Sequence, residues 1–162
     1  MQITSNNWNK QFHLHKEGEA VFRLEYGKWN YHASATYLDQ QIQIKPRKWY
    51  KSRHEILKDG KEVGWIKWKW NGSLEVHVKD AMNRLRSYQL KAKTWNSNVF
   101  VFHSLDLDKE LFRLRRTSKW YQTKHQFKVE KLAVGMPGVE LEELVLYALH
   151  AANMYYQASM GA

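Results

Sequence analysis

Two stretches of the chain combine closely spaced cations with aromatic rings. Residues 45–53 read KPRKWYKSR, and residues 113–121 read RLRRTSKWY. On an extended strand alternate residues point to the same side, so each stretch can present a row of Lys and Arg outward. Such a row holds phosphate groups, while nearby rings lie at lipid headgroup level or stack on nucleic-acid bases. The anion-binding candidates are Lys45, Arg47, Lys48, Lys51, Arg53, Arg113, Arg115, Arg116 and Lys119, with Trp49, Tyr50, Trp120 and Tyr121 as aromatic flank.

These two clusters also have a purely structural interpretation. Exposed Lys and Arg keep a sheet soluble and block pairing between the edges of sheets, and the ring edges can be buried between strands. The residues alone therefore leave three roles open for the clusters: phospholipid binding, nucleic-acid binding and solubilisation.

Acidic and histidine side chains supply two weaker metal candidates. Asp106, Asp108 and Glu110 would share one face of an extended strand and could hold a hard cation, but the segment lacks the central Gly and later Glu of a calcium loop. His13 and His15 share a strand face without an evident third ligand. We predict no metal site.

Signatures of enzymes are absent from the sequence. It contains no GxSxG, GxGxxG, HExxH or GxxxxGK followed by Ser or Thr. It also contains no Cys, which excludes disulfides and thiolate nucleophiles. We predict a non-enzymatic protein without a cofactor and keep an enzyme with a surface site as an alternative class.

Composition points to a folded domain with an anionic partner. The 162 residues carry a formal charge of +10, and 14% of them are aromatic. A positive balance of this size favours nucleic acid, anionic membranes or acidic proteins. The first residues, MQITSNNW, do not have the pattern of a signal peptide. We expect a cytoplasmic location, with peripheral membrane attachment under the phospholipid hypothesis.

Apolar residues alternate with polar ones from Trp8 to about Leu132. Period-two runs such as residues 20–26, 29–37 and 66–70 are typical of half-buried antiparallel strands. Dipeptides that favour hairpin turns, including Glu17-Gly18, Asp59-Gly60 and Asn71-Gly72, separate the runs. The pattern predicts a meander of about ten to twelve strands over residues 8–132, within one domain spanning residues 1–162.

A different pattern follows at about residues 139–158, where the chain is apolar almost all round a predicted helix. The polar residues fall on one narrow stripe: Glu140, Glu143, Tyr147, His150, Asn153 and Gln157. The apolar run is too short to span a bilayer. A closed barrel removes strand edges and leaves an interior that side chains alone cannot fill, so we expect the helix to be its plug.

Two alternatives remain for this helix and its polar stripe. The helix could instead dock in a partner protein. Inside the barrel, His150 and Asn153 would be core groups hydrogen-bonded to strand backbone, whereas a functional role would make His150 a proton-linked switch or a ligand contact. We expect the core role.

This architecture resembles the superfamily of tubby C-terminal domains, plant LURP-one-related proteins and phospholipid scramblases. The resemblance rests on the strand meander, with hairpins such as KDGKEVGWIKW (58–68), and on the final VELEELVLYALHAANMYY (139–156). The chain is shorter than a tubby domain and has no scramblase-like calcium segment. The resemblance implies a mainly β fold, a closed antiparallel barrel around a buried helix.

The resemblance also implies a function. Tubby domains bind phosphoinositides through basic side chains on the barrel, and scramblases act at membranes. We therefore expect a non-enzymatic domain that binds anionic phospholipid surfaces, with nucleic-acid binding or a protein adaptor role as alternatives.

Overall fold

The structure, a computed structural model, describes residues 1–6, 10–27, 32–47, 52–94, 96, 98–119, 124–132 and 139–160. These residues form twelve strands and one helix. The elements are β1 Gln2–Ser5, β2 Gln11–Lys16, β3 Glu19–Tyr26, β4 Ala33–Tyr37, β5 Gln40–Pro46, β6 Arg53–Lys58, β7 Lys61–Trp68, β8 Leu74–Lys79, β9 Leu85–Ala92, β10 Val99–Ser104, β11 Lys109–Arg116, β12 Phe127–Lys131 and α1 Leu141–Met160.

The strands form a closed barrel in which each strand pairs antiparallel with its neighbours in sequence. Closure comes from β1, which pairs with β12 through Gln2↔Lys128 and Ile3↔Phe127. The predicted closed antiparallel barrel is thus confirmed. The barrel begins earlier than predicted, because β1 lies before residue 8, where the predicted meander starts. The prediction missed β1 because its four residues are too few to show a clear alternation.

Tight turns join the even strands to the following odd strands. At Glu17-Gly18 and Asp59-Gly60 both residues have positive φ, as the dipeptides predicted. Leu38-Asp39 forms a turn of the same kind without Gly, with φ values of 49° and 61°. The sequence gives no strong indication of that turn, since a branched apolar residue seldom adopts this conformation.

Alternate residues of each strand point into the barrel. Interior positions carry the core, which includes a stack of Tyr88, Phe102 and Phe112 with ring centroids 5.2 and 4.8 Å apart. Strand registers place Lys91, Val101, Arg113 and Glu130 in one row on the outer wall. The period of two therefore separates an apolar interior from a charged exterior.

Helix α1 is buried around its whole circumference, as expected for a plug. Residues 144–152 are at most 1% exposed. Ion pairs fix the first turn, because Lys16 on β2 binds Glu142 at 3.1 Å and Lys58 on β6 binds Glu143. Carboxylates at this position also compensate the helix dipole.

Strand side chains, rather than the strand backbone, are the hydrogen-bond partners of His150 and Asn153 in the polar stripe of α1. The two ring nitrogens of His150 lie 2.7 Å from the hydroxyl of Tyr26 and 2.8 Å from Nδ1 of His54. Asn153 hydrogen-bonds to Tyr26 as well. These contacts agree with the predicted role of His150 and Asn153 as core groups. The predicted backbone partner was wrong, because β3 and β6 supply the polar side chains of Tyr26 and His54 next to His150.

Candidate anion-binding surface

The antiparallel meander gives the barrel two chemically different ends. At one end six segments connect each odd strand to the next even strand; we call it the loop end. These segments are residues 6–10, 27–32, 47–52, 69–73, 93–98 and 117–126. At the other end lie the tight turns and the start of α1, and we call it the turn end.

The composition of the six loop-end segments is one-sided. Together they contain nine Lys and Arg and no Asp or Glu. They also hold six of the eight Trp, one in each segment: Trp8, Trp29, Trp49, Trp70, Trp95 and Trp120. Of these residues the structure describes six cations, Lys10, Arg47, Lys69, Lys93, Lys119 and Lys124, and one indole, Trp70.

Acidic residues concentrate at the turn end. Residues 16–19, 38–39, 58–62, 79–86, 105–110 and 139–143 contain twelve of the sixteen Asp and Glu but only seven Lys and Arg. The barrel is consequently polarised along its axis, with a positive loop end and a negative turn end. Such a charge distribution orients a protein as it approaches an anionic surface.

Trp70 shows how a loop-end segment presents its ring. Lys69 and Ser73 close the β7–β8 connection through Lys69 N–H to Ser73 O at 2.8 Å, and Gly72 adopts a φ of 83°. The Asn71 side chain accepts the Ser73 N–H at 3.1 Å. Trp70, at the tip, is 94% exposed. Single exposed apolar side chains are common on protein surfaces, so Trp70 marks a candidate contact point only together with the cations of the same end.

The loop end is closed from inside by the last turns of α1. Tyr155 packs against Trp68 and Phe100, and Arg116 lies over the ring of Tyr156 at 5.6 Å. Burial raises the pKa of Tyr156 to about 12, although Arg116 opposes the shift. The end therefore has an aromatic floor with a cation at its rim.

The predicted cluster on β5 and β6 is partly neutralised by its own strands. Arg47 binds Glu55 at 3.3 Å, and Lys45 stands opposite Glu55 in the register. Arg53 stacks on Trp65, with its guanidinium 4.6 Å from the ring centroid. The remaining members of this cluster lie outside the described residues: Lys48, Trp49, Tyr50 and Lys51.

In the second predicted cluster, Arg113 and Arg115 lie on the outer wall, as strand alternation predicts. Arg113 binds Glu110 at 2.9 Å, and Arg115 binds Glu130. Arg116 instead points toward the helix. Its Nε donates to Ser118, two residues further along the chain, at 3.0 Å. Lys119 is exposed at the loop end, and Trp120 and Tyr121 lie outside the described residues.

Neither metal candidate assembles into a site. Asp106 accepts the Ser87 N–H, Asp108 binds His103 and Glu110 binds Arg113, so the three carboxylates face different partners. The rings of His13 and His15 stack 6.2 Å apart. Within the described ranges no three His, Asp or Glu side chains converge on a common point.

Sequence reasoning missed several members of the loop end, including Lys69, Trp70, Lys93 and Lys124. The predicted clusters consist of cations that are close in sequence, whereas these residues lie in different connections and are brought to the same end only by the topology of the barrel. One sequence pattern could have indicated these segments: Trp recurs at intervals of 20 to 25 residues, once for each hairpin. That period is typical of repeated strand pairs.

Comparisons with known proteins add no relative: no family model, curated protein or solved structure matches the chain. In the described part of the chain, no helix is long and apolar enough to cross a membrane.

Proposed function

We propose that this protein binds anionic phospholipid surfaces end-on, through the loop end of the barrel. The observation that carries the proposal is Trp70, an almost fully exposed indole on an end whose six segments contain no Asp or Glu and include the exposed Lys93 and Lys124. Trp side chains favour the interface between headgroups and acyl chains. Basic residues near an anionic leaflet each contribute about 1 kcal/mol.

Geometry favours a membrane over nucleic acid as the partner. The strand ends flanking the six segments form a ring, because the barrel is closed. A ring of contact points matches a flat surface, which meets all of them together. A nucleic-acid strand or duplex would meet the ring along one line. Resemblance to tubby-type domains supports the same partner class.

Charge polarity supports the orientation of binding. The turn end, with its twelve carboxylates, would be repelled by an anionic leaflet. Four cations contribute less, because Arg47 and Lys69 at the loop end and Arg113 and Arg115 on the outer wall are already bound to glutamates. The proposal therefore gives the main role to the exposed loop-end residues Trp70, Lys93 and Lys124 and a secondary role to the strand clusters.

Vesicle co-sedimentation tests the proposal at about 0.15 M salt, where long-range attraction between exposed charges is already screened. Phosphatidylcholine vesicles would be compared with vesicles containing phosphatidylserine or a phosphoinositide. Wild type should bind anionic vesicles only, and Trp70→Ser should bind them several-fold more weakly. Preference for the phosphoinositide at equal vesicle charge would identify a headgroup reader.

Matched variants distinguish binding through the loop end from attraction to the overall positive charge of the protein. Lys93→Glu with Lys124→Glu changes two exposed loop-end residues, while Lys61→Glu with Lys79→Glu makes the same charge change at the turn end. The first pair should abolish sedimentation and the second should not. Equal loss in both pairs, or no binding by wild type, would refute end-on membrane binding. Salt-sensitive binding to RNA or DNA instead would favour the nucleic-acid alternative.

A further inference from the structure

A serine, a histidine and a glutamate form a continuous hydrogen-bonded row on the outer wall. Ser87 on β9 stands directly opposite His77 on β8, and its Oγ lies 2.8 Å from His77 Nδ1. The other ring nitrogen, Nε2, lies 2.8 Å from a carboxylate oxygen of Glu75. A hydroxyl, an imidazole and a carboxylate in this order are the components of a serine nucleophile with its general base.

The surrounding structure holds the imidazole in place. The indole of Trp65 stacks on His77 with centroids 4.9 Å apart, and Arg53 covers the ring of Trp65. His77 and Glu75 are only 14% and 12% exposed. Such packing fixes the ring so that its two nitrogens face Ser87 and Glu75.

The carboxylate of Glu75 is positioned to stabilise a protonated His77. Burial raises the pKa of this carboxyl, but hydrogen bonds from His77 and Lys69 outweigh burial and leave the pKa below its usual value. Lys69 lies 3.1 Å and Lys67 4.0 Å from the carboxylate. The carboxylate therefore remains ionised, as a group that stabilises an imidazolium must be.

The backbone N–H of Ser87 already faces an anion. It donates to a carboxylate oxygen of Asp106 at 2.9 Å, and Asp106 belongs to the exposed turn after β10. In serine hydrolases the N–H of the nucleophile itself helps to bind the oxyanion. The Ser87 N–H is therefore available to a developing oxyanion only when Asp106 releases it.

We infer that Ser87, His77 and Glu75 form a nucleophilic site for carboxylic esters, restrained by Asp106. Ser87 Oγ forms a bond to the acyl carbon while its proton passes to His77 Nδ1. The ester C–O bond breaks, and His77 returns the proton to the departing alkoxide. Water then bonds to the acyl carbon as it gives a proton to His77, the bond from the acyl carbon to Ser87 Oγ breaks, and His77 returns the proton to Oγ as the acid leaves. This activity is independent of the proposed membrane binding.

A fluorophosphonate probe tests the site directly, since Ser Oγ forms a bond to phosphorus as fluoride leaves. Intact mass and peptide mapping should show one adduct, on Ser87. Ser87→Ala should remove it, and Ser73→Ala, a change at a buried serine, should not. His77→Gln should slow labelling by about 100-fold or more, the usual contribution of a general base.

Two further variants keep the test independent of folding. Glu75→Gln should slow labelling in a variant that still unfolds cooperatively, and Asp106→Ala should accelerate labelling several-fold by freeing the Ser87 N–H. Absence of an adduct on Ser87 in both wild type and Asp106→Ala would overturn the inference. Labelling of Ser87 at the same rate in a folded His77→Gln variant would also overturn it.

Discussion

Acid should destabilise this barrel through one imidazole at its centre. His150 is 1% exposed, and both of its ring nitrogens already have partners, Tyr26 and His54. Burial lowers the pKa of His150 well below its usual value, and His54 lowers it further. A proton added to His150 would replace an acceptor with a second donor where charge is poorly solvated. The folded protein therefore keeps His150 neutral.

The sign of the effect follows from the proton that the unfolded chain binds. In the unfolded chain the pKa of His150 returns to about 6.5, so below that pH the unfolded state takes up a proton that the folded state does not. Stability is complete above about pH 6.5 and falls as the pH decreases. One such proton changes the free energy of unfolding by about 1.4 kcal/mol per pH unit. Between about pH 6.5 and pH 5 the loss is about 1.5–2 kcal/mol.

His125 adds to the pH dependence of the wild-type protein. Burial lowers its pKa to about 4, and the nearby charge of Arg116 acts in the same direction. The wild-type slope therefore contains contributions from both histidines. A comparison of wild type with a His150 variant isolates the contribution of the central imidazole.

Urea titrations at about pH 7.5, 6.5 and 5, followed by Trp fluorescence and circular dichroism, measure this difference. His150→Gln should be less stable than wild type near neutral pH, because it loses the Tyr26 contact, but its stability should fall less steeply toward acid. Identical slopes in wild type and His150→Gln would refute the assignment of acid sensitivity to His150.

Three further predictions concern the barrel and its plug. Deleting residues 139–162 should abolish cooperative unfolding, because it exposes the interior of all twelve strands; a truncated chain that still melts cooperatively would show that the helix is no plug. Gly64→Ala should destabilise the fold by about 2 kcal/mol or more, since a Cβ would overlap the carbonyl oxygen of His77 and lie 2.8 Å from Val78 Cα; an unchanged melting temperature would contradict this close contact. Lys58→Ala should cost about 3 kcal/mol by leaving Glu143 buried and unpaired, and Lys58→Met combined with Glu143→Leu should recover most of that loss in urea titrations.

Much of the fold could be predicted from local patterns. Strand alternation, the dipeptides Glu17-Gly18 and Asp59-Gly60 and the apolar final helix were enough to indicate a closed barrel around a plug. These features depend on neighbours within a few residues, where sequence and structure are directly linked. The turn at Leu38-Asp39 was not evident, because its conformation is imposed by the pairing of β4 with β5.

The functional surfaces were harder to predict, because they join residues that are distant in sequence. His150 meets His54 across 96 residues and Tyr26 across 124. The loop end collects one segment from each hairpin, so short basic runs show only part of it. Strand register decides which cations lie near a glutamate: it places Arg113 opposite Glu130, and Arg115, two residues along the strand, reaches the same carboxylate diagonally. A one-residue shift in register would have placed these side chains on opposite faces.

The central claim, that the loop end contacts an anionic membrane, is tested most directly by a fluorophore at each end of the barrel. The chain contains no Cys, so Thr94→Cys at the loop end and Ala81→Cys at the turn end each give a single labelling site. With phosphatidylserine vesicles, an environment-sensitive dye should shift to shorter emission wavelength at position 94 and remain unchanged at position 81. A shift at position 81, or none at position 94, would contradict end-on binding.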